Sequence, residues 1–274
     1  MLKVLTAGIL TAGAMAVLAT ASSAAIADSG TTAAVPDFSG LWDRGNESWF
    51  HAVPGDTAGK PLVRVSPSQQ QEAGDYNNPI LQPWAREIVK ANAEKELNLQ
   101  YVPTAHGSCT PSGVPEVLNL REPVQLLQQK DKVTIIYQRD HQIRKVYLDR
   151  QHSARPEPSW YGESVGHYEG DTLVVDTIGQ AVKPLSVVDG FGTPHTDKLH
   201  VVERYRVVPD GKRKGLQVVF RVDDPGAFTM PWSGMIEYHP ARTAWEEIVC
   251  AENNRSFGED TELAQIPEAT KPDF

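Results

Sequence analysis

From residue 124 to residue 250, apolar and polar side chains alternate in short runs separated by turn residues. A period of two sends successive side chains to opposite faces of an extended chain, so each run reads as a strand with one buried face. Nine runs fit: Val124–Leu127, Val133–Tyr137, Ile143–Leu148, Ser164–Tyr168, Thr172–Ile178, Leu199–Val208, Leu216–Val222, Trp232–Tyr238 and Ala244–Cys250. Lys130-Asp131, Glu169-Gly170-Asp171 and Pro209-Asp210-Gly211 supply turn chemistry between them. Asp37-Phe38-Ser39-Gly40-Leu41-Trp42 opens a first strand ahead of this series. The pattern implies a mainly β chain, an antiparallel meander that closes into a barrel or folds into a sandwich.

One helix interrupts the N-terminal half. Pro83 suits a first helical turn, and Trp84, Ile88, Ala91 and Leu97 fall near helical spacing, which predicts a helix from Pro83 to about Leu97 with those residues on its apolar face. Residues 44–79 and 102–123 are rich in Gly, Pro, Asn and Gln or in Pro alone and read as loops. The organisation expected is a signal peptide over 1–27, a flexible leader over 28–36, one β domain over 37–254 that includes the helix near 83–97, and a polar tail over 255–274.

The leader rests on chemistry. Lys3 is the only charged residue before Asp28, an apolar stretch follows it, and Ala25-Ile26-Ala27 is a small-residue cleavage site. The stretch is too diluted by Thr, Gly and Ser for a span of roughly 20 strongly apolar residues. A periplasmic or secreted protein is expected, without a membrane span once the leader is removed. Nucleotide pools outside the cell are poor, so no nucleotide cofactor is expected. The two cysteines, Cys109 and Cys250, read as one disulfide. A formal net charge of −9 argues against nucleic acid or an anionic membrane as partner and leaves a small-molecule ligand or substrate.

Gly40-x-Trp42 at the start of a strand is similar to the G-x-W opening of lipocalin-like, calycin-type barrels, and that likeness favours the barrel. A longer set of residues resembles a family of secreted, largely uncharacterised bacterial proteins. It comprises Trp160-Tyr-Gly-Glu-Ser-Val-Gly-His-Tyr-Glu-Gly-Asp-Thr-Leu-Val-Val-Asp-Thr177, Gly192-Thr-Pro-His195-Thr, Val202-Glu-Arg-Tyr205, Asp224-Pro225 through Pro231-Trp232, and Cys250-Ala-Glu-Asn-Asn254. That resemblance implies export and paired cysteines and carries no mechanism.

Three segments are candidates for chemistry. Gly162-Glu163-Ser164-Val165-Gly166 has the G-x-S-x-G form of a nucleophile elbow, but an elbow needs a strand, a sharp turn and a helix, and a hairpin follows here. A Gly-flanked strand with a buried small residue fits better. Asp189-Gly-Phe-Gly-Thr-Pro-His195-Thr-Asp197 is a loop with a histidine able to carry protons near neutral pH, with Asp189 or Glu203 as its orienting carboxylate. In 199–207, alternation puts Val201, Glu203 and Tyr205 on one face. Glu203 then either pairs with an arginine such as Arg144 or Arg221 or lines a pocket. Metal binding lacks any ligand spacing of a known kind. The function expected is cofactor-independent acid–base catalysis, by a lyase, isomerase or hydrolase, on a small organic molecule in a barrel cavity, with His195, Asp189 and Glu203 as its residues. The alternative is a lipocalin-like carrier of an apolar molecule.

Overall fold

The computed structural model describes residues 35–45, 49–68, 71–242 and 244–250 of the chain. The expected leader and the polar tail from 255 lie outside the described residues. Among those residues, nine strands follow one another around a closed barrel. They are β1 (Gly40–Asp43), β2 (Val124–Gln128), β3 (Lys132–Tyr137), β4 (Gln142–Leu148), β5 (Glu163–Glu169), β6 (Thr172–Ile178), β7 (His200–Asp210), β8 (Arg213–Asp223) and β9 (Trp232–Pro240). A disulfide joins Cys109 to Cys250, with Cα atoms 5.5 Å apart. No helix of the described residues is long and apolar enough to cross a membrane.

The strands form where period two is strongest, and the joints are made by the residues expected. Gly170 and Gly211, at the β5–β6 and β7–β8 hairpins, take φ of +60° and +57°. A Cβ at either would touch nothing, so glycine is needed there for its backbone freedom alone.

Two departures follow from closure. The expected strand Ala244–Cys250 does not form, and only an isolated bridge between Arg139 and Ile248 is present. Both edges of β9 are already taken, by β8 and by β1, so no edge is left for a tenth strand. The meander is also not antiparallel throughout, because β4 and β5 are parallel. Nine is odd, and a ring of odd strand number cannot alternate direction at every neighbour. The 149–162 connection carries the chain back along the barrel to satisfy that parity.

The helix α1 spans Pro83–Leu97 with Pro83 in its first turn, as its composition predicts, but its buried face differs. Ala85, Val89 and Ala93 are buried, while Trp84, Ile88 and Leu97 are 42%, 40% and 43% exposed. Small side chains at four-residue spacing let the helix lie close to its neighbours. The indole of Trp84 stays outside and donates to the Gly226 carbonyl at 2.7 Å.

Inside the barrel lie the inward positions of each strand, among them Val133, Ile135, Leu173, Val175, Val201 and Val218. One ion pair sits among them, Arg144 with Glu203, at 2% and 0% exposure. The guanidinium donates through Nη1 to Glu203 Oε1 at 2.9 Å, through Nη2 to Glu203 Oε2 and to Thr177 Oγ1 at 2.8 Å, and through Nε to Ser164 Oγ at 3.1 Å. Tyr205 donates its hydroxyl to Glu203 Oε1 at 2.8 Å. Burial works against the arginine's charge, and the Glu203 carboxylate beside it holds its pKa well above the ordinary value. Of the two roles open to Glu203, the structure shows the ion pair. Ser164 of the G-x-S-x-G segment is likewise a buried residue of β5, and a hairpin to β6 follows it.

Removing one partner of such a pair strands a buried charge. Glu203→Ala should therefore cost about 3–5 kcal/mol in urea unfolding, whereas the apolar double replacement Arg144→Met, Glu203→Leu should recover most of it. Replacing both cysteines by Ser should cost up to about 5 kcal/mol in the same measurement, because the bridge closes a long loop.

Candidate functional site

The two ends of the barrel are unlike. The β2–β3, β5–β6 and β7–β8 hairpins stand at one end. At the other, the long β1–β2, β6–β7 and β8–β9 connections leave and return. A cavity of about 690 Å³ lies among these connections, at the barrel's end and not along its axis. Arg44 and Trp49 after β1 line it, with Ile88, Asn92 and Glu96 from one stripe of α1, residues of the 102–121 segment, and Leu185 to Gly192 between β6 and β7. The exposed Ile88 of α1 is thus a wall of the cavity.

Trp49 stacks on Phe191, ring centroids 4.6 Å apart at 24°. Gly190 permits this, since a Cβ there would lie 2.1 Å from the Trp49 ring. Asp189 organises the same loop. Its Oδ1 accepts from the amides of Phe191 (3.0 Å) and Thr193 (3.1 Å), and its Oδ2 from the Thr193 hydroxyl (2.7 Å). Three of the four acceptor positions of the carboxylate are used, so Oδ2 keeps one. Burial pushes this carboxyl up to about 6, against the pull of those bonds.

Glu116 is the residue that reading for motifs passes over. It opens a 3₁₀ turn, Glu116–Asn119, and lines the cavity. Val117 and Leu118 of that turn are buried anchors. Gln180 clamps Val114, two residues ahead of the turn, by accepting from its N at 2.7 Å and donating to its O at 2.8 Å. Tyr238 of β9 donates to the Leu118 carbonyl at 2.7 Å. Held so, Glu116 accepts from Asn119 Nδ2 at 2.9 Å. Burial pushes its carboxyl up to about 8; the Asn119 bond and Arg44 oppose this, and Asp189 and Glu72 add to it. Glu72, also in the wall, is raised by burial and by Glu96. The available signal was the apolar density of Val114, Val117, Leu118 and Leu120 within a Pro-rich loop, which marks that stretch as buried and the acid inside it as desolvated.

The three residues singled out from the sequence are not brought together. Asp189 lines the cavity. Glu203 is committed to Arg144 inside the barrel. His195 is 3% exposed and bonds neither carboxylate. Its Nε2 accepts from the Ser186 hydroxyl and its Nδ1 donates to the Thr196 carbonyl, both at 2.8 Å. Burial lowers its pKa, so the ring stays neutral and pins two turns together. Leu185, Val187 and Asp189 line the cavity, whereas Ser186, between them, is bonded to His195 and is not part of the lining. Asp224, just after β8, accepts from the Thr196 and Gly226 amides at 2.6 and 3.0 Å.

These features define a closed mixed β-barrel with an acid-bearing cavity at its loop end. Comparison with protein-family models, with curated proteins and with solved structures finds no match to the chain.

The raised carboxyl of Glu116 has a cost that pH exposes. Between its ordinary value of 4.5 and about 8, the folded protein holds a proton that the unfolded chain has released. Stability falls as pH rises through that window, by at most about 1.4 kcal/mol per pH unit from this group. Glu116→Gln has no proton to retain, so it should remove this slope and gain on the unaltered protein between pH 5 and pH 8, as measured by urea unfolding at both.

Proposed function

We propose that the protein is an exported enzyme that works without a nucleotide cofactor, as a lyase, isomerase or hydrolase on a small organic molecule held in the end cavity. The observation that carries this reading is Glu116, a carboxyl kept protonated to about 8 in a cavity that Asp189, at about 6, also lines. Two carboxyls whose surroundings push their pKa values apart supply an acid and a base at one pH. Near neutrality Glu116 can donate a proton, and Asp189, ionised, can accept one on the free position of Oδ2. His195 supports the loop that carries Asp189 and takes no part in proton transfer. Arg44 and Arg121 in the wall can steady negative charge as it develops on the substrate.

A carrier is the second reading. The stacked Trp49 and Phe191, with Ile88 and Leu120, form an apolar wall of the kind that holds a ligand without changing it.

Conversion separates the two. Purified protein is incubated with a low-molecular-weight cell extract in D₂O and followed by mass spectrometry. The enzyme reading expects at least one compound to be converted or to take up deuterium, with the rate lowered about 10²-fold or more by Glu116→Gln. The rate should follow a bell in pH with limbs near 6 and near 8. Compounds that are bound and returned unchanged would leave the carrier.

A further inference from the structure

The connection 149–162 joins the two strands of the short parallel seam, and a cleft of about 490 Å³ opens there. Glu157, Ser159 and Tyr161 of the connection line the cleft with Ile143, Arg144 and Tyr147 of β4. The Asp149 amide donates to the Gly166 carbonyl at 2.8 Å, and the Ser159 amide to the Gly179 carbonyl at 3.2 Å. Between these two points, among the described residues, every hydrogen bond to the barrel comes from His152 or Ser153. All four bonds end on two carboxylates, Glu163 of β5 and Asp176 of β6.

His152 makes two of them, Nδ1 with Glu163 Oε1 at 3.0 Å and Nε2 with Asp176 Oδ1 at 2.8 Å. An ionised carboxylate only accepts, and a neutral imidazole has one N–H. The ring therefore makes both bonds only as the imidazolium. Without its second proton, a nitrogen lone pair faces a carboxylate oxygen and one bond is lost. Ser153 makes the other two, its amide to Glu163 Oε1 and its hydroxyl to Oε2, both at 2.7 Å.

The groups around the ring keep the carboxylates ionised. Burial works to raise the Asp176 carboxyl, and the bonds from His200 and His152 bring it below its ordinary value. The Ser153 hydroxyl holds Glu163 low. His200 of β7 donates Nε2 to the same Asp176 Oδ1 at 2.9 Å; that bond raises its pKa, and Asp223 of β8 adds to it. Further along β7, Arg204 is paired with Glu169 and Arg206 with Asp171. Arg150 of the connection lies over the Tyr147 ring, and Asp149, Arg155 and Glu157 are its remaining charges. A histidine changes charge between pH 5 and pH 8, where such carboxylates stay ionised. Stability from a raised histidine is present below its ordinary value and is lost as pH rises through the folded one. The cluster is thus complete at weakly acid pH and comes apart on the alkaline side.

We propose that His152 is a pH-sensitive latch on the β4–β5 connection: doubly protonated, it ties the connection to β5 and β6, and on losing a proton it lets go of one of them and loosens that side of the cleft. None of His152, Glu163, Asp176 and His200 lines the end cavity, so the latch stands apart from the reading of that cavity as an active site.

The test combines nitrogen NMR of the histidine rings with hydrogen–deuterium exchange of the purified protein at pH 5 and pH 8. At pH 5 the His152 ring should carry both protons and residues 150–158 should be protected, with the Ser153 amide as the closest reporter. At pH 8 the ring should carry one. Exchange over 150–158, corrected for its intrinsic rate, should then be several-fold faster. His152→Gln has no proton to lose and should abolish that change, whereas His200→Gln should keep it, because His152 still faces both carboxylates. A His152 ring with one proton at pH 5 or two at pH 8 overturns the proposal, as does equal protection of 150–158 at the two pH values. A pH dependence that survives His152→Gln and vanishes in His200→Gln overturns it too, and assigns the change to His200. Ring titration and exchange of the unaltered protein decide the matter even if a variant does not fold.

Discussion

The buried pair of Arg144 and Glu203 lies behind one of the short seams of the barrel. An odd ring of strands must contain a parallel neighbour, and here that neighbour is β4 against β5, paired only through Val146–Ser164, Tyr147–Val165 and Leu148–Gly166. By contrast, the β7–β8 ladder runs the whole length of both strands. Arg144 on β4 reaches across the short seam to Ser164 on β5, Thr177 on β6 and Glu203 on β7. A single planar group with five donors in fixed directions joins four consecutive strands. The arrangement is also demanding, because register must be right in all four for the charges to be matched. A slip by one residue on any of them turns its inward set outward and leaves a charge alone in an apolar core.

With the core closed in this way, chemistry is left to the loop end. The hairpins are as short as turns allow, and the opposite connections are long enough to carry a helix, a 3₁₀ turn and the Asp189 loop. Glu116 and Asp189, two of the acids of the cavity, are each anchored to the barrel or its adjoining turns by side chains that do not line the cavity. Glu116 is fixed through Gln180 and Tyr238, and the loop of Asp189 through the Ser186–His195 pair. Rigid support behind a polar group that is itself unfavourably placed is the usual cost of pre-organisation.

The strands were legible because burial on one face writes itself as alternation, and Glu203 was legible for the same reason. Period two placed it between Val201 and Tyr205 on the inner face, and the arginine followed. The helix bounds were readable from Pro83 and composition. Its buried face was not, since Ala85, Val89 and Ala93 are small and carry little weight beside Trp84 and Ile88. Closure by β1 removed the place for a strand at 244–250, and no local pattern announces closure. The cavity was the least legible part. Its wall comes from five separate stretches, of which only α1 is periodic, and Glu116 is marked only by the apolar residues around it. The segment 189–197 drew notice for its histidine, whereas the part of it that reaches the cavity is Asp189 to Gly192.

The β1–β9 seam joins Trp42 to Pro240 and Asp43 to His239, two contacts separated by nearly the whole described chain. It sets an order of assembly. The first strand to be synthesised cannot complete its pairing until the last has been made, so β1 waits with one edge bare while the others zip up by hairpins between close neighbours. Loop closure over that distance is entropically slow, and the waiting edges of β1 and β9 are able to pair with another chain in the meantime. The interval between finishing β8 and docking β9 on β1 is therefore when the chain is most exposed to self-association.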